Sequence, residues 1–517
     1  MARFFNTAGP NRLEKHYTLD PLHRLQTVRQ LIEEERYFIL HAPRQTGKTT
    51  TMMEFMHAIN SEGKYIALYV NIAAAQAYRN DAEKANEVII SSFYSHIRTL
   101  LPAAYHPSEK CFHIFNRANG MTEFIQNWMQ ELPKPLILFI DEVDALIGDS
   151  LISVLRQLRA GYNLRPNGFP HSVCMIGLRD IRDYRIFSDG SGNYVIGGSA
   201  FNIKAQSLLM ANFTADEVRQ LYALHTAETG QIFTEEAVEL AYYYTQGQPW
   251  LVNALGRTVC FEEIAVPRSE AITAAHIREA VEVLILRRDV HLDQLADKLT
   301  EPRVENIIQS ILNGEDSLSR EGHLTEDHQY LIDLGLIHRT KENGFEIANP
   351  IYREVIPREL TSVEQDLIPQ QAIWYVQPDG KLDFKKVITN FVAYYRENGE
   401  TWLSKRAHYL EISHHILLMA WLQRLINGGG RIMREYATGM GRIDLVIDFA
   451  QERFGIEIKT DRNFRRERVL QQASDYATRM GLATILVIIF RKTYSLEKIG
   501  NTEETLHNGV NVRFLWL

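Results

Sequence analysis

Two groups of residues in this chain of 517 have the types and spacing of reaction centres. The first is Ala42-Pro-Arg-Gln-Thr-Gly-Lys-Thr49, which follows an apolar strand-like run and opens a helical stretch. A tight loop of this kind turns backbone N–H groups toward phosphates, and the helix N-terminus adds its dipole. Lys48 then reaches the β- and γ-phosphates, and the Thr49 hydroxyl holds Mg²⁺. Pro43, Arg44, Gln45, Thr46, Gly47 and Thr50 complete the expected contacts. Further on, Leu136-Ile-Leu-Phe-Ile-Asp-Glu-Val-Asp144 is a buried strand ending in acids. Asp141 is expected to orient the Mg²⁺ shell and Glu142 to activate an attacking water. Asp144 reads equally well as a cap on the following helix.

The second group is Asp444, in Gly441-Arg-Ile-Asp444, with Glu457 and Lys459 in Phe454-Gly-Ile-Glu-Ile-Lys459. Strand alternation puts Glu457 and Lys459 on one face, with Ile458 behind them. Carboxylates converging at one point of a sheet repel unless a cation joins them. Mg²⁺ or Mn²⁺ suits oxygen ligands and leaves positions open for a phosphate and a water. Lys459 is placed to orient that water or to neutralise the transition state.

These groups need elements to hold them. Tyr37–Leu40, Tyr65–Val70, Leu136–Ile140 and Ser172–Gly177 read as buried parallel strands alternating with amphipathic helices, a doubly wound α/β domain over residues 1–205. Residues 206–290 read as a helical lid, with capped starts at Thr214-Ala-Asp-Glu217 and Thr234-Glu-Glu-Ala237. Residues 291–360 read as a winged helix: short helices, Leu331–Ile337, a turn at Asn343-Gly344, then Phe345–Ala348. A linker over 361–384 carries Pro369, Pro378 and Gly380. Residues 385–517 read as a second α/β domain: a long helical stretch, a break at Gly428-Gly-Gly430, strands near 431–459, a helix near 465–480 and strand Ile485–Phe490.

The first group resembles the AAA+/STAND superfamily of P-loop ATPases over about residues 1–350, with Ala42 where the motif usually has Gly. The resemblance implies ATP and Mg²⁺ as ligands. It implies a γ-phosphate sensor at Arg179, in Gly177-Leu-Arg-Asp180, with Arg182 and Arg185 as weaker candidates. It also implies that Gly247-Gln-Pro249 starts a lid helix against the nucleotide, so Pro249 joins the cofactor-binding set. Arg156 and Arg159 are candidate arginine fingers toward a neighbouring copy, which points to a homo-oligomer. The segment from Asn6-Thr-Ala-Gly-Pro10 to His16-Tyr17 is rich in turn residues and is a candidate wrap for the adenine.

The second group resembles the PD-(D/E)xK nuclease superfamily over about 130 residues: Asp444 and Glu457-Ile-Lys459 match its motif, and Gln472-Ala-Ser-Asp-Tyr476 supplies a downstream Gln-x-x-x-Tyr. That implies a restriction-endonuclease-like α/β domain and DNA as substrate. Asp444 and Glu457 are the metal ligands, joined by an upstream helical acid, Glu411 first and Glu435 second. His414 and His415 beside Glu411 read as ordinary helix residues. Arg442, Arg462, Arg465, Arg466, Arg468, Gln472 and Tyr476 are the candidate DNA contacts, since guanidinium forks suit phosphates.

Charge separates the two halves. The whole chain carries 56 Lys and Arg against 64 Asp and Glu, a net of −8. Residues 396–517 carry 18 against 14, a net of +4, and the preceding residues carry −12. Residues 291–360 carry 7 against 14, a net of −7. A DNA-reading module has a basic footprint, so that segment is read as a lid, oligomerisation or partner surface. DNA is expected on the C-terminal domain. With 45% hydrophobic and 23% charged residues the chain is globular, and Cys111, Cys174 and Cys260 have neither zinc spacing nor a disulfide pattern. The first residues lack the apolar core of a signal peptide and no run is long enough to span a membrane, so a cytoplasmic protein is expected. The expected activity is ATP hydrolysis coupled to metal-dependent DNA cleavage, suited to defence against foreign DNA or to repair. The alternatives are a nucleotide-gated switch or scaffold that binds without cutting, and a DNA-translocating motor.

Overall fold

The computed structural model describes residues 3–24, 26–112, 119–180, 185–187, 194–196, 204–287, 298–299, 301–312, 325–340, 344–360, 375–405, 418, 421–422, 431–437, 442–450, 452–461, 464–491 and 499–517. The chain forms two compact units, Met1–His291 with Leu318–Tyr352, and Leu292–Ser317 with Arg353–Leu517. The segment 291–360, expected as one winged helix, is divided between them. Helix Pro302–Leu312 goes with the second unit, and Glu326–Asp333 with the hairpin β8 (Ile337–Arg339) and β9 (Phe345–Ile347) goes with the first.

The first unit is built on parallel strands β1 (Tyr37–His41), β2 (Ile66–Asn71), β3 (Leu136–Asp141), β4 (Ser172–Gly177) and β7 (Lys204–Leu209), in the order β2-β3-β4-β1-β7. Their near-continuous apolar runs follow from helices covering both faces. One face of the sheet packs Leu68, Val70, Leu138 and Ile140 against α2 (Ala82–Leu100), α3 (Gly120–Glu131) and α4 (Asp149–Gly161). The other packs Phe38, Leu40, Phe139 and Ile176 against α1 (Lys48–Glu62). The alternation expected from sequence therefore holds for four strands. The fifth, β7, was expected to be helical or lid sequence; its Lys204-Ala-Gln-Ser-Leu-Leu209 is polar and lies at the sheet edge, and the expected boundary at 205 cuts it. A short antiparallel pair, β5 (Arg185–Phe187) and β6 (Tyr194–Ile196), precedes it.

Helices α5 (Ala215–Thr229), α6 (Glu235–Thr245), α7 (Pro249–Cys260) and α8 (Ala274–Arg287) follow. Thr214 and Glu217 form the expected reciprocal cap on α5, and Thr234 caps α6. Gly247 lies at φ +68°, and a Cβ there would sit 1.8 Å from the Phe213 carbonyl oxygen, so only glycine fits before α7. Helix α9 (Glu326–Asp333) also belongs to the first unit.

The second unit is a mixed sheet in the order β10-β11-β12-β13-β15-β14, with β10 (Arg431–Ala437), β11 (Arg442–Phe449), β12 (Glu452–Thr460), β13 (Thr484–Phe490), β14 (Asn501–His507) and β15 (Val510–Trp516). Helix α10 (Phe384–Lys405) packs Val387, Phe391 and Tyr395 on Ile447, Ile456, Ile458 and Ile488. Helix α11 (Arg466–Arg479) packs Val469, Ala473 and Ala477 on Ile443, Ile485, Val487 and Val512. Strands β14 and β15 were not anticipated. Polar Asn501-Thr-Glu-Glu-Thr505 forms an exposed edge strand, and Asn508-Gly509, both at positive φ, makes the two-residue hairpin turn that such a dipeptide favours. The expected linker is also shorter. Tyr375 and Leu382 are buried in the second core around a tight turn at Gly380, while residues 361–374, with Pro369, lie outside the described set. Among the described residues no helix is long and apolar enough to cross a membrane.

Candidate functional site

The phosphate loop turns between β1 and α1 with Gln45 at φ +58° and Gly47 at φ +90°. A non-glycine residue in that region is strained, and such strain concentrates at binding sites. Ala42 is fully buried, so the small residue in the usual glycine position serves as packing. Thr46 Oγ1 donates to the Pro43 carbonyl at 2.9 Å, and the Lys48 ammonium donates to the carbonyls of Ala42 and Pro43 at 2.7 and 2.8 Å. Burial pulls the Lys48 pKa below the ordinary amine value, while Asp141, Asp144 and Glu142 oppose that pull. The first N–H groups of α1 have no intrahelical acceptor. Arg44 is exposed on the loop. Thr50 Oγ1 accepts the Asn11 N–H at 3.0 Å, so the N-terminal segment reaches the helix start.

Asp141 ends β3 and is 2% exposed. Its Oδ2 accepts the Thr49 hydroxyl at 2.9 Å and the Tyr69 hydroxyl at 2.5 Å, and its Oδ1 accepts the Glu142 N–H at 2.8 Å. Two motifs far apart in sequence therefore meet through one hydrogen bond. Glu142 follows at φ +60°, again the left-handed region. Burial first, then Asp144 and Asp141, raise its carboxyl pKa. Asp144 is no helix cap: α4 begins at Asp149, and Asp144 Oδ1 accepts the Leu178 N–H at 3.1 Å, fixing the end of β4. A lysine, free helical N–H groups, a threonine hydroxyl and a carboxylate form the donor set that a magnesium–nucleoside triphosphate requires, so the residues fit that ligand.

Arg179 is tied elsewhere. It is 9% exposed, its Nε donates to Asp333 Oδ2 at 2.9 Å, and its guanidinium lies 5.0 Å from the Tyr330 ring centre. Both partners belong to α9, whose following turn brings Gly335 against Pro43 of the phosphate loop. The residue expected to sense a γ-phosphate is thus paired with a helix assigned from sequence to the winged helix. Arg182 lies outside the described residues, and Arg185 opens β5. Pro249 is the first residue of α7, Gln248 caps that helix, and Trp250 Nε1 donates to the Thr7 carbonyl at 2.8 Å. Arg156 and Arg159 are exposed on α4.

In the second unit, Asp444 on β11 and Glu457 and Lys459 on β12 come together. Asp444 Oδ2 accepts the Ile458 N–H at 2.6 Å, and Lys459 Nζ donates to Glu457 Oε1 at 2.6 Å. Glu457 is 1% exposed, and its Oε2 has no hydrogen-bond partner. Burial, with Asp444 adding to it, pushes the Glu457 carboxyl up to about 7 against the pull of Lys459. Burial works against the Lys459 ammonium too, but Glu457, Asp444 and Tyr476 outweigh it and hold that pKa above the ordinary value. An orphaned, buried carboxylate oxygen beside a second carboxylate fits a divalent cation. Among the described residues no group of three or more His, Cys, Asp or Glu side chains forms a larger metal cluster. Glu411, with His414 and His415, lies outside those residues, and Glu435 lies within β10.

Gln472 and Tyr476 share a face of α11, where Gln472 Nε2 donates to the Tyr476 hydroxyl at 2.9 Å. The arginines divide. Arg465 and Arg468 are exposed at the start of α11, whereas Arg466 is held by Glu503 and Thr505 of β14. Arg442 opens β11 opposite Ala437, and Arg462 lies outside the described residues.

The sequence reading missed Tyr69 and Asp333, and it marked the segment around Asn11 without singling that residue out. Tyr69 had one signal, a hydroxyl inside an otherwise apolar strand; Asp333 had none, because its partner lies far away in sequence.

No protein-family model matches the chain, and no curated protein does. Among solved structures, it is similar to a Walker-type ATPase of Pyrococcus abyssi, at 15% identity and a TM-score of 0.46, covering 68% of this chain and 99% of that one. It is also similar to the RuvB Holliday junction branch migration motor of Thermotoga maritima, at 14% identity and a TM-score of 0.34, covering 65% and 94%. A third likeness is to Cdc6p of Pyrobaculum aerophilum, at 13% identity and a TM-score of 0.35, covering 70% and 98%.

Proposed function

We propose that the first unit binds and hydrolyses ATP with Mg²⁺ and that the second cleaves DNA phosphodiester bonds with Mg²⁺ or Mn²⁺. What carries the reading is the convergence at each site: Thr49 on Asp141 at 2.9 Å, and Lys459 on Glu457 at 2.6 Å beside Asp444. In the first unit, Lys48 and the N–H groups at the start of α1 bind the β- and γ-phosphates. Glu142 accepts a proton from a water aligned with the γ-phosphorus. The new bond is water oxygen to phosphorus, and the bond that breaks joins phosphorus to the ADP oxygen. In the second unit, Asp444 and Glu457 hold the cation. Lys459 orients the attacking water or neutralises the charge on the pentacoordinate phosphate, and Arg465, Arg468 and the Gln472–Tyr476 pair face the DNA backbone. A divalent cation at either site supplies charge neutralisation at the phosphoryl oxygens.

The test is cleavage of plasmid DNA with Mg²⁺ or Mn²⁺, and ATP turnover, in the wild type and in Asp444→Ala, Lys459→Ala and Lys48→Ala. Loss of cleavage in the first two and loss of ATP turnover in the third is expected, each by about a thousandfold. Wild type and Asp444→Ala degrading plasmid alike removes the nuclease reading.

A second reading, a nucleotide-gated switch or scaffold whose second unit binds nucleic acid or partners without cutting, is supported by the Arg179–Asp333 pair, because a γ-phosphate reaching Arg179 would compete with Asp333 for the same guanidinium. It predicts that ATP changes the assembly state in size-fractionated protein while plasmid stays intact.

A further inference from the structure

Strand β2, Ile66-Ala-Leu-Tyr-Val-Asn71, alternates its side chains between the two helical layers. Ala67 and Tyr69 face α1, as do Ile137 and Phe139 on the adjacent β3. The alternation carries β3 on to Asp141 on the same face. Tyr69 pairs in register with Phe139, and Asn71 with Asp141, so Tyr69 and Asp141 are diagonal neighbours, a separation that a long aromatic side chain bridges. The Tyr69 hydroxyl does so, donating to Asp141 Oδ2 at 2.5 Å. The same oxygen accepts the Thr49 hydroxyl at 2.9 Å, and Oδ1 accepts the Glu142 N–H at 2.8 Å. One buried carboxylate is therefore oriented by donors from β2, from α1 and from its own chain end.

A buried phenol hydroxyl costs free energy unless it is partnered, and phenylalanine would fill the same volume without that cost. The Tyr69 hydroxyl has one proton, and this geometry directs it to Asp141. Thr49 has one hydroxyl proton. While that proton is given to Asp141, the oxygen lone pairs remain available to a cation.

We propose that Tyr69 is a positioning residue for the divalent cation of the phosphate site. Its hydroxyl fixes the rotamer of Asp141, so that Asp141 accepts the Thr49 hydroxyl hydrogen bond and Thr49 offers its oxygen lone pairs to the cation. This rests on the nucleotide reading above.

The test uses the full chain and a fluorescent methylanthraniloyl-ATP. Its binding is titrated at fixed nucleotide with increasing Mg²⁺, and separately in EDTA. For Tyr69→Phe, the Mg²⁺ concentration at half-maximal binding rises about tenfold, as expected for loss of a charge-assisted hydrogen bond. Its affinity in EDTA stays within about twofold of wild type, because Lys48 and the loop are untouched. In an Asp141→Asn background, Tyr69→Phe adds less than about twofold, since the hydroxyl acts through that carboxylate. A Mg²⁺ midpoint unchanged by Tyr69→Phe overturns the proposal. So do equal losses with Mg²⁺ and with EDTA, which assign Tyr69 to packing alone. A wild-type chain with no Mg²⁺-dependent binding overturns the nucleotide reading itself, and this inference with it; a flat wild-type curve distinguishes that failure from the others.

Discussion

The two carboxylate sites solve one electrostatic problem in opposite ways. Asp141 and Glu457 are equally hidden, at 2% and 1% exposure. Asp141 has both oxygens engaged by three donors within the first unit. Glu457 has Lys459 on one oxygen and nothing on the other, and its pKa stands near 7. The first site is pre-organised before any ligand arrives, with left-handed backbone already set at Gln45, Gly47 and Glu142, which strains only the two non-glycine residues. The second site leaves one carboxylate oxygen of Glu457 without a donor, the position at which a cation is proposed. A buried acid can be stabilised by donors or by a cation; Asp141 has the donors, and the cation is what is proposed for Glu457.

The largest effect that tests this contrast is on the pre-organised side. Asp333→Ala leaves the Arg179 guanidinium buried without its carboxylate. It should lower the stability of the first unit by about 3–5 kcal/mol, read by urea unfolding. Adding Arg179→Leu should recover part of that loss, because an apolar pair removes the buried charge. If Asp333→Ala is neutral, the first unit is less rigidly paired than its geometry implies.

A smaller effect concerns Glu457. Its folded pKa of about 7 lies above the ordinary carboxylate value, so between about pH 4.5 and 7 the folded state holds more of this proton than the unfolded state. The contribution of this group to stability is therefore full at low pH and is lost as pH rises through 7. Urea unfolding in EDTA should show that decline for the second unit, and Glu457→Gln should flatten it while abolishing cleavage. Mg²⁺ should restore stability at pH 8 in the wild type and not in Glu457→Gln. A wild-type curve already flat in EDTA would mean that Glu457 is as well satisfied as Asp141.

The smallest effect calibrates the others. Thr214→Ala removes the reciprocal cap on α5, distant in sequence from both sites, and should cost about 1 kcal/mol with ATP turnover and cleavage unchanged. A change in either activity would show that helices α5–α8 bear on chemistry more directly than their caps suggest.

Much of this architecture is legible in the sequence because its signals are local. Buried parallel strands are apolar runs, the phosphate loop is a contiguous string, and Thr214–Glu217 carries its cap within four residues. Glu457 and Lys459 share a face by strand alternation alone. The failures have physical causes too. Strand β7 and strand β14 are polar edge strands without the apolar signature, whereas β2, at the other edge of its sheet, is covered by helices and keeps it. Asn508-Gly509 was a readable hairpin signal beside a strand too polar to be noticed. Pro378 and Gly380 read as linker, although the tight turn they mark packs its flanks into a core.

The sequence by itself determined which residues are capable of chemistry, since residue type and short-range periodicity fix the phosphate loop, the acids at the end of β3 and the Glu-x-Lys strand. Only the tertiary structure decided how those groups are satisfied. Tyr69 reaches Asp141, Asp333 holds Arg179, Asp144 anchors β4 instead of capping a helix, and Glu457 keeps one oxygen without a partner. Each of these depends on a distance between residues separated along the chain. A buried charge takes its pKa and its hydrogen bonds from whatever packing brings beside it.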